Sequence, residues 1–197
     1  HAGPELSVAA TKSYIAALAA IAQLVAAWTQ DADLAAELDR LPAVLGAAWD
    51  LDWSPAAQGL KDAHNLYVLG RGVGFAVAQE AALKFKETCG LHAEAFSAAE
   101  VLHGPMALVA KGFPVLVFAQ DDESQAGVLE MARGLAARGA AVMLAGGGGA
   151  LPTLAAHPSL EPIVRIQSFY RMANALALAR GRDPDRPPHL NKVTETV

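Results

Sequence analysis

The sequence predicts an α/β fold, a parallel sheet covered by helices on both faces and preceded by a helical hairpin. Three observations carry that reading. From about residue 55 onward, short apolar runs alternate with longer segments of helical period, the pattern of strands joined by helical crossovers. Ahead of them, Ile15, Leu18, Ala22, Val25 and Trp28 stripe an uncharged stretch at helical spacing. Hydrophobic residues make up 53% of the 197 against 18% charged and 6% aromatic, so the core is built from Ala, Leu and Val, which suits close helix packing.

Taken in order, the first helix is expected from residue 6 or 7 to 29. A second follows over 31–49 with Asp31 as its N-cap. The strand 64–69 leads through a glycine turn, Gly70 to Gly74, into a helix over 74–89 that Gly90 stops. Ser97 and Glu100 have the spacing of a capping box and open a short helix ending at His103, Gly104 and Pro105. Then come a strand at 114–119, a helix at 123–138 and strands at 140–145 and 162–166. A helix at 167–180 and a proline-rich tail complete the chain. Gly146 to Gly149 is read as a flexible connection rather than a phosphate loop, because no capped helix follows it.

Composition excludes several classes of function. A net charge of −5 with no Lys/Arg cluster gives no footprint for nucleic acid. Cys89 is the only cysteine, so no intramolecular disulfide or cysteine metal site can form, and a buried thiol in a cytoplasmic protein is expected. The six histidines lack ligand spacing, and no metal is expected. Residues 13–30 are uncharged but contain Gln23 and are rich in Ala, which favours a buried or subunit-contacting helix over a membrane span. No signal peptide is expected, since a basic region followed by an apolar run and a cleavage site is missing.

The reactive side chains concentrate between Gly70 and Pro105. On the helix 74–89, Glu80, Lys84 and Glu87 fall within about 60° of one another, with Phe75, Ala78, Ala82, Phe85 and Cys89 opposite. Spacing alone makes the three charges a solvated ladder worth a few tenths of a kcal/mol per pair. Lys86 lies on the packing side, so either the helix is half buried or Lys86 snorkels along its stem.

The run EAALKFKETCGLHAEAFSAAEVLHGP, with GPELSVAATKSY at the start and PPHLNKVTETV at the end, resembles the sugar isomerase (SIS) domain proteins. Within them it is similar to the isomerase half of glutamine:fructose-6-phosphate aminotransferases and to the SIS-fold glucosamine-6-phosphate deaminases. The resemblance implies a flavodoxin-like three-layer αβα sandwich. It divides the chain into residues 1–50, the closing helices of a first and truncated SIS domain, 51–180, a second SIS domain, and 181–197, a tail over the sugar site. The chain would then open in mid-domain. The family's Ser/Thr-rich phosphate loop would lie upstream of His1, as would any glutaminase domain. The Gly70 to Gly74 turn takes the equivalent place in the second domain without the hydroxyls, and reads as a tight turn rather than a phosphate cradle.

The resemblance also implies roles. Glu87 matches the base that carries a proton between C1 and C2, its pKa raised by burial. Lys84 matches a relay at the substrate hydroxyl, with Glu80 orienting it. His103 matches the histidine that assists ring opening from the neighbouring subunit of a homodimer. Lys192 matches the lysine that binds the open ketose, while Val8, Glu80 and Asn191 border the substrate. Asn191 replaces an Ala beside that lysine, and Ala10-Thr11-Lys12 replaces Ser-Thr-Lys. The expected reaction interconverts glucosamine 6-phosphate with fructose 6-phosphate and ammonia without a cofactor. A fragment of a glutamine-dependent synthase and a non-catalytic sugar-phosphate module are the alternatives.

Overall fold

The structure is a computed structural model and describes residues 2–192. His1 and the last five residues of the C-terminal motif, 193–197, lie outside the described residues. The chain begins with helices α1 (Lys12–Thr29) and α2 (Ala32–Trp49), a hairpin turned at Gln30, which adopts the left-handed conformation. Asp31 caps α2 by accepting from the Leu34 N–H at 3.0 Å. Helix α3 (Ser54–Leu60), begun by Pro55, precedes β1 (Asn65–Gly70), α4 (Val73–Cys89) and β2 (His92–Ser97). A 3-10 turn (Pro105–Leu108), β3 (Pro114–Phe118), α5 (Gln125–Ala137), β4 (Ala141–Ala145) and α6 (Glu161–Ala179) complete the order.

The four strands are parallel in the order β2-β1-β3-β4. Alternation along them separates two cores. Leu66, Val68, Leu116 and Phe118 face α3, α4 and α6, whereas Tyr67, Leu69, Val115 and Val117 face α5. The result is the expected α/β sandwich, with the α1–α2 hairpin packed on the outer side of α6 through Ala22, Ala26, Leu34 and Leu41 against Leu160, Ile163 and Val164. Among the described residues α1 is long and apolar enough to cross a membrane. It leaves Ile21, Leu24, Val25 and Trp28 exposed.

Three local readings of the sequence are corrected. Residues 162–166 are the first turns of α6, not a strand. Pro162 stands where a helix tolerates proline, and Ile163, Val164 and Ile166 are all buried because the hairpin covers one side of the helix and the sheet the other. A helix buried all round shows no period to distinguish it from a strand. The short helix expected from Ser97 does not form. His92–Ser97 is instead an edge strand paired with β1, and Ser97 starts a turn in which its carbonyl accepts from Glu100 and Val101. The first helix starts at Lys12 rather than at residue 6 or 7, because the Glu5 carboxylate captures the N–H groups of Thr11 and Ser13 and the Ser13 hydroxyl. That capture fixes residues 6–10 as an irregular strap.

Helix α4 is buried on both the apolar and the charged sides, leaving Val73, Ala76, Gln79, Leu83 and Lys86 as its exposed strip. The solvated-ladder reading of Glu80, Lys84 and Glu87 is therefore wrong. Phe85 anchors the apolar side edge-on to Phe169 of α6, ring centroids 5.0 Å apart. Cys89, fully buried, bonds to the Ala173 carbonyl and is pushed up in pKa by that burial. The turn before α4 is closely packed: a Cβ at Gly74 would collide with the Gln120 side chain, which lies buried over the helix N-terminus and pairs with Asp122. Tight geometry, not an anion cradle, accounts for the glycines there.

Candidate functional site

The charged side of α4 looks across to α6, and the two helices build an ionic network that meets a cavity through Lys84 and Tyr170, which line it, while Glu80 and Glu87 do not. Lys84 is 4% exposed and stands 2.6 Å from Glu87 Oε2 and 3.4 Å from Glu80 Oε1. The i−4 and i+3 spacing puts both carboxylates on the lysine's own face. Tyr170, ninety residues from Glu80 in sequence, donates to Glu80 Oε1 at 2.8 Å. Burial raises the pKa of Glu80, and the Lys84 charge and the Tyr170 hydrogen bond only partly oppose it. Burial and then the Glu80 charge push up the Tyr170 hydroxyl. Tyr14 of α1 is pushed up to about 12 by the same two causes, and its buried hydroxyl lacks a hydrogen-bond partner among the described residues.

The cavity encloses about 460 Å³ and is lined by Lys84, Thr88, Tyr170 and Asn174 on one side and by Ser7, Thr11, Lys12 and Trp49 on the other. Its rim is closed by the two ends of the chain. Lys192 Nζ donates to the Ser7 carbonyl at 2.7 Å, and the Ser7 hydroxyl donates to Asp185 at 2.6 Å. Glu5 anchors the strap below them. Burial would raise its pKa, but donation from Ser13 and Thr11 outweighs that and holds it low.

The sequence-derived candidates divide accordingly. Glu80, Lys84 and Glu87 form one network, and Lys192 reaches the cavity rim through Ser7. Val8 is half-buried between Ser7 and Ala9, both of which line the cavity. Asn191 is exposed beside Lys192. His103 is exposed on the turn after β2, and among the described residues no hydrogen bond or ion pair joins it to the others. Sequence reasoning missed Tyr170, Tyr14 and Glu5. Only the spacing of Tyr170 within a buried helix hinted that a hydroxyl would need a partner. Among the described residues no three His, Cys, Asp or Glu side chains gather as a metal would require.

Such a site can hold a proton on either of two carboxylates and share it through a lysine out of bulk water, which is the equipment of proton transfer rather than of hydride or phosphoryl transfer. The chain is 37% identical, over its whole length, to the glutamine–fructose-6-phosphate aminotransferase of Aeropyrum pernix, of which it covers 35%. It thus spans about a third of the length of the curated relatives it matches. Among solved structures, a protein assigned as a phosphosugar isomerase from Silicibacter pomeroyi superposes with a TM-score of 0.89 at 47% identity, over 94% of this chain and 58% of that one. The C-terminal domain of the glucosamine-fructose-6-phosphate aminotransferase of Francisella tularensis gives 0.83 at 28% identity, over 92% and 57%. The glucosamine-6-phosphate deaminase of Thermotoga maritima gives 0.75 at 26%, over 94% and 57%. Residues 59–145, from the end of α3 to the end of β4, match the SIS domain family.

Proposed function

We propose that this chain carries the proton-transfer half of a phosphosugar isomerase site that converts glucosamine 6-phosphate to fructose 6-phosphate and ammonia. The observation that supports it most is the Glu80–Lys84–Glu87 network, its lysine buried, beside a half-open cavity of sugar-phosphate size. In the open-chain amino sugar, Glu87 takes the proton from C2 and returns it to C1, while Lys84 passes a proton to the oxygen on C1. The product is a C2 imine, and addition of water to it releases ammonia and leaves the ketose. Lys192, held at the rim by the Ser7 carbonyl, is the amine that meets the open chain. Residues 1–50 are read as the closing helices of a first SIS domain, the domain to which the family resemblance assigns phosphate binding. His103 is supplied to the cavity of a second copy, which accords with its exposure between the exposed Leu102 and Leu108.

The aminotransferase relatives favour a second reading, in which the same site runs toward glucosamine 6-phosphate with ammonia delivered by a glutaminase. One assay separates the readings: ammonia release from glucosamine 6-phosphate by the chain, alone and extended upstream. Glu87→Gln is expected to lower kcat at least about a thousandfold, since it removes a general base that also carries the proton between carbons, while substrate affinity stays within a few fold. Turnover that survives Glu87→Gln would overturn the assignment of the base. Tight binding with no turnover in any form would instead indicate a sugar-phosphate sensor.

A further inference from the structure

We propose that Tyr170 is a positioning residue for the Lys84–Glu87 pair, acting through Glu80, a role that rests on the reading of this cavity as an isomerase site. Its hydroxyl reaches from α6 to Glu80 Oε1 at 2.8 Å, the same oxygen that faces Lys84 Nζ at 3.4 Å. Lys84 stands closer to Glu87, at 2.6 Å. An ammonium between two carboxylates one turn apart in either direction moves toward the one whose charge is less satisfied. By donating to Glu80, Tyr170 reduces that carboxylate's hold on the lysine and leaves the ammonium to Glu87. The tyrosine thereby sets which carboxylate the lysine serves, and so the proton affinity of the proposed base.

The surroundings support this assignment. Tyr170 is buried, with its ring 6.0 Å from that of Phe169 between centroids, and its hydroxyl is spent on Glu80 across the α4–α6 contact. The other ionisable groups facing Glu80 and Tyr170 are Tyr14 of α1 and Glu5 of the N-terminal strap. Glu5 is engaged by Ser13 and Thr11. Tyr14 carries a buried hydroxyl without a hydrogen-bond partner among the described residues, which makes it the neighbour able to take over when Tyr170 is altered. Tyr14→Phe therefore accompanies the test.

Tyr170→Phe, alone and with Tyr14→Phe, removes the donor and keeps the ring. Loss of a hydrogen bond to a buried charge is expected to lower kcat about tenfold with KM unchanged. The acid limb of the kcat profile moves to higher pH, because Glu87 loses part of the lysine's charge. Added to Glu80→Gln, Tyr170→Phe changes neither. Glu80→Gln alone removes the competitor instead of the donor and moves the limb the opposite way. A carboxyl-carbon NMR titration of Glu87 without substrate reads the same displacements, so the positioning role is decided even if no hexose phosphate is turned over, a result that would sink the functional reading alone. An unmoved Glu87 midpoint in Tyr170→Phe, an equal effect in the Glu80→Gln background, or a rise in KM alone would overturn the proposal. An upward displacement in Glu80→Gln would do so even if Tyr170→Phe failed to fold.

Discussion

Lys84 is the residue on which the network turns, since two carboxylates within 3.4 Å share its charge away from water. Lys84→Ala should cost about 3–5 kcal/mol by urea unfolding, because it leaves two like charges buried together. Lys86→Ala, on the exposed strip of the same helix, should stay within about 0.5 kcal/mol. The two acidic residues beside the cavity impose opposite pH dependences. The folded-state pKa of Glu80 is raised by burial, so its effect favours the folded protein below the unfolded value of 4.5 and is lost as pH rises through the raised value. Glu5 is held low, so its contribution is present above the unfolded value and lost as pH falls through the depressed one. Thermal midpoints across pH 4–7 check this: relative to wild type, Glu80→Gln should gain stability as pH rises and Glu5→Gln should lose it. At this scale the sequence displayed Glu80, Lys84 and Glu87 by their spacing. It concealed Tyr170, because nothing local links a hydroxyl on one helix to a carboxylate ninety positions away.

Helices α4 and α6 are the elements that make the site, and they were legible to different degrees. Helix α4 carries a clear apolar stripe with Gly90 at its end in the left-handed conformation, and its bounds follow from the sequence to within one residue. What the stripe could not reveal is that the opposite face is also covered. Helix α6 is apolar on all sides through Ile163, Val164, Ile166 and Phe169, so its first turns resemble a core strand. Strand β2 had the opposite difficulty: at the sheet edge, His92 and Glu94 are exposed and only Ala93 is fully buried, a signal too polar to outweigh the capping pattern that follows. The α4–α6 contact rests on Phe85 and Phe169, and Phe85→Ala should destabilise by about 3–5 kcal/mol through the cavity it leaves. Because the same contact holds Tyr170 opposite Glu80, the variant should also lose turnover at temperatures where it remains folded.

Across the whole molecule, the sheet supplies the scaffold while the proposed chemistry lies on a helix face. Open parallel sheets usually bind ligands beyond the carboxyl ends of their strands, where the strand order reverses. Here that position, between β1 and β3, is filled by Gln120 over Gly74 and by Asp122. The cavity is formed instead where the N-terminal strap, α4, α6 and the tail converge. Exposed Leu102 and Leu108 around His103 fit a contact between two copies, and sedimentation at micromolar concentration is expected to give a dimer that Leu102→Asp dissociates.

The three tryptophans occupy three environments. Trp28 is exposed on α1, Trp53 is buried and donates to the Pro152 carbonyl at 2.9 Å, and Trp49 borders the cavity with its ring partly in solvent. A ligand entering the cavity displaces water from Trp49 and leaves the other two indoles as they were. Occupancy should therefore be visible in intrinsic fluorescence as a blue shift carried by one emitter in three, abolished by Trp49→Phe. The fold thus contains its own optical reporter, one that answers to binding whether or not a reaction follows.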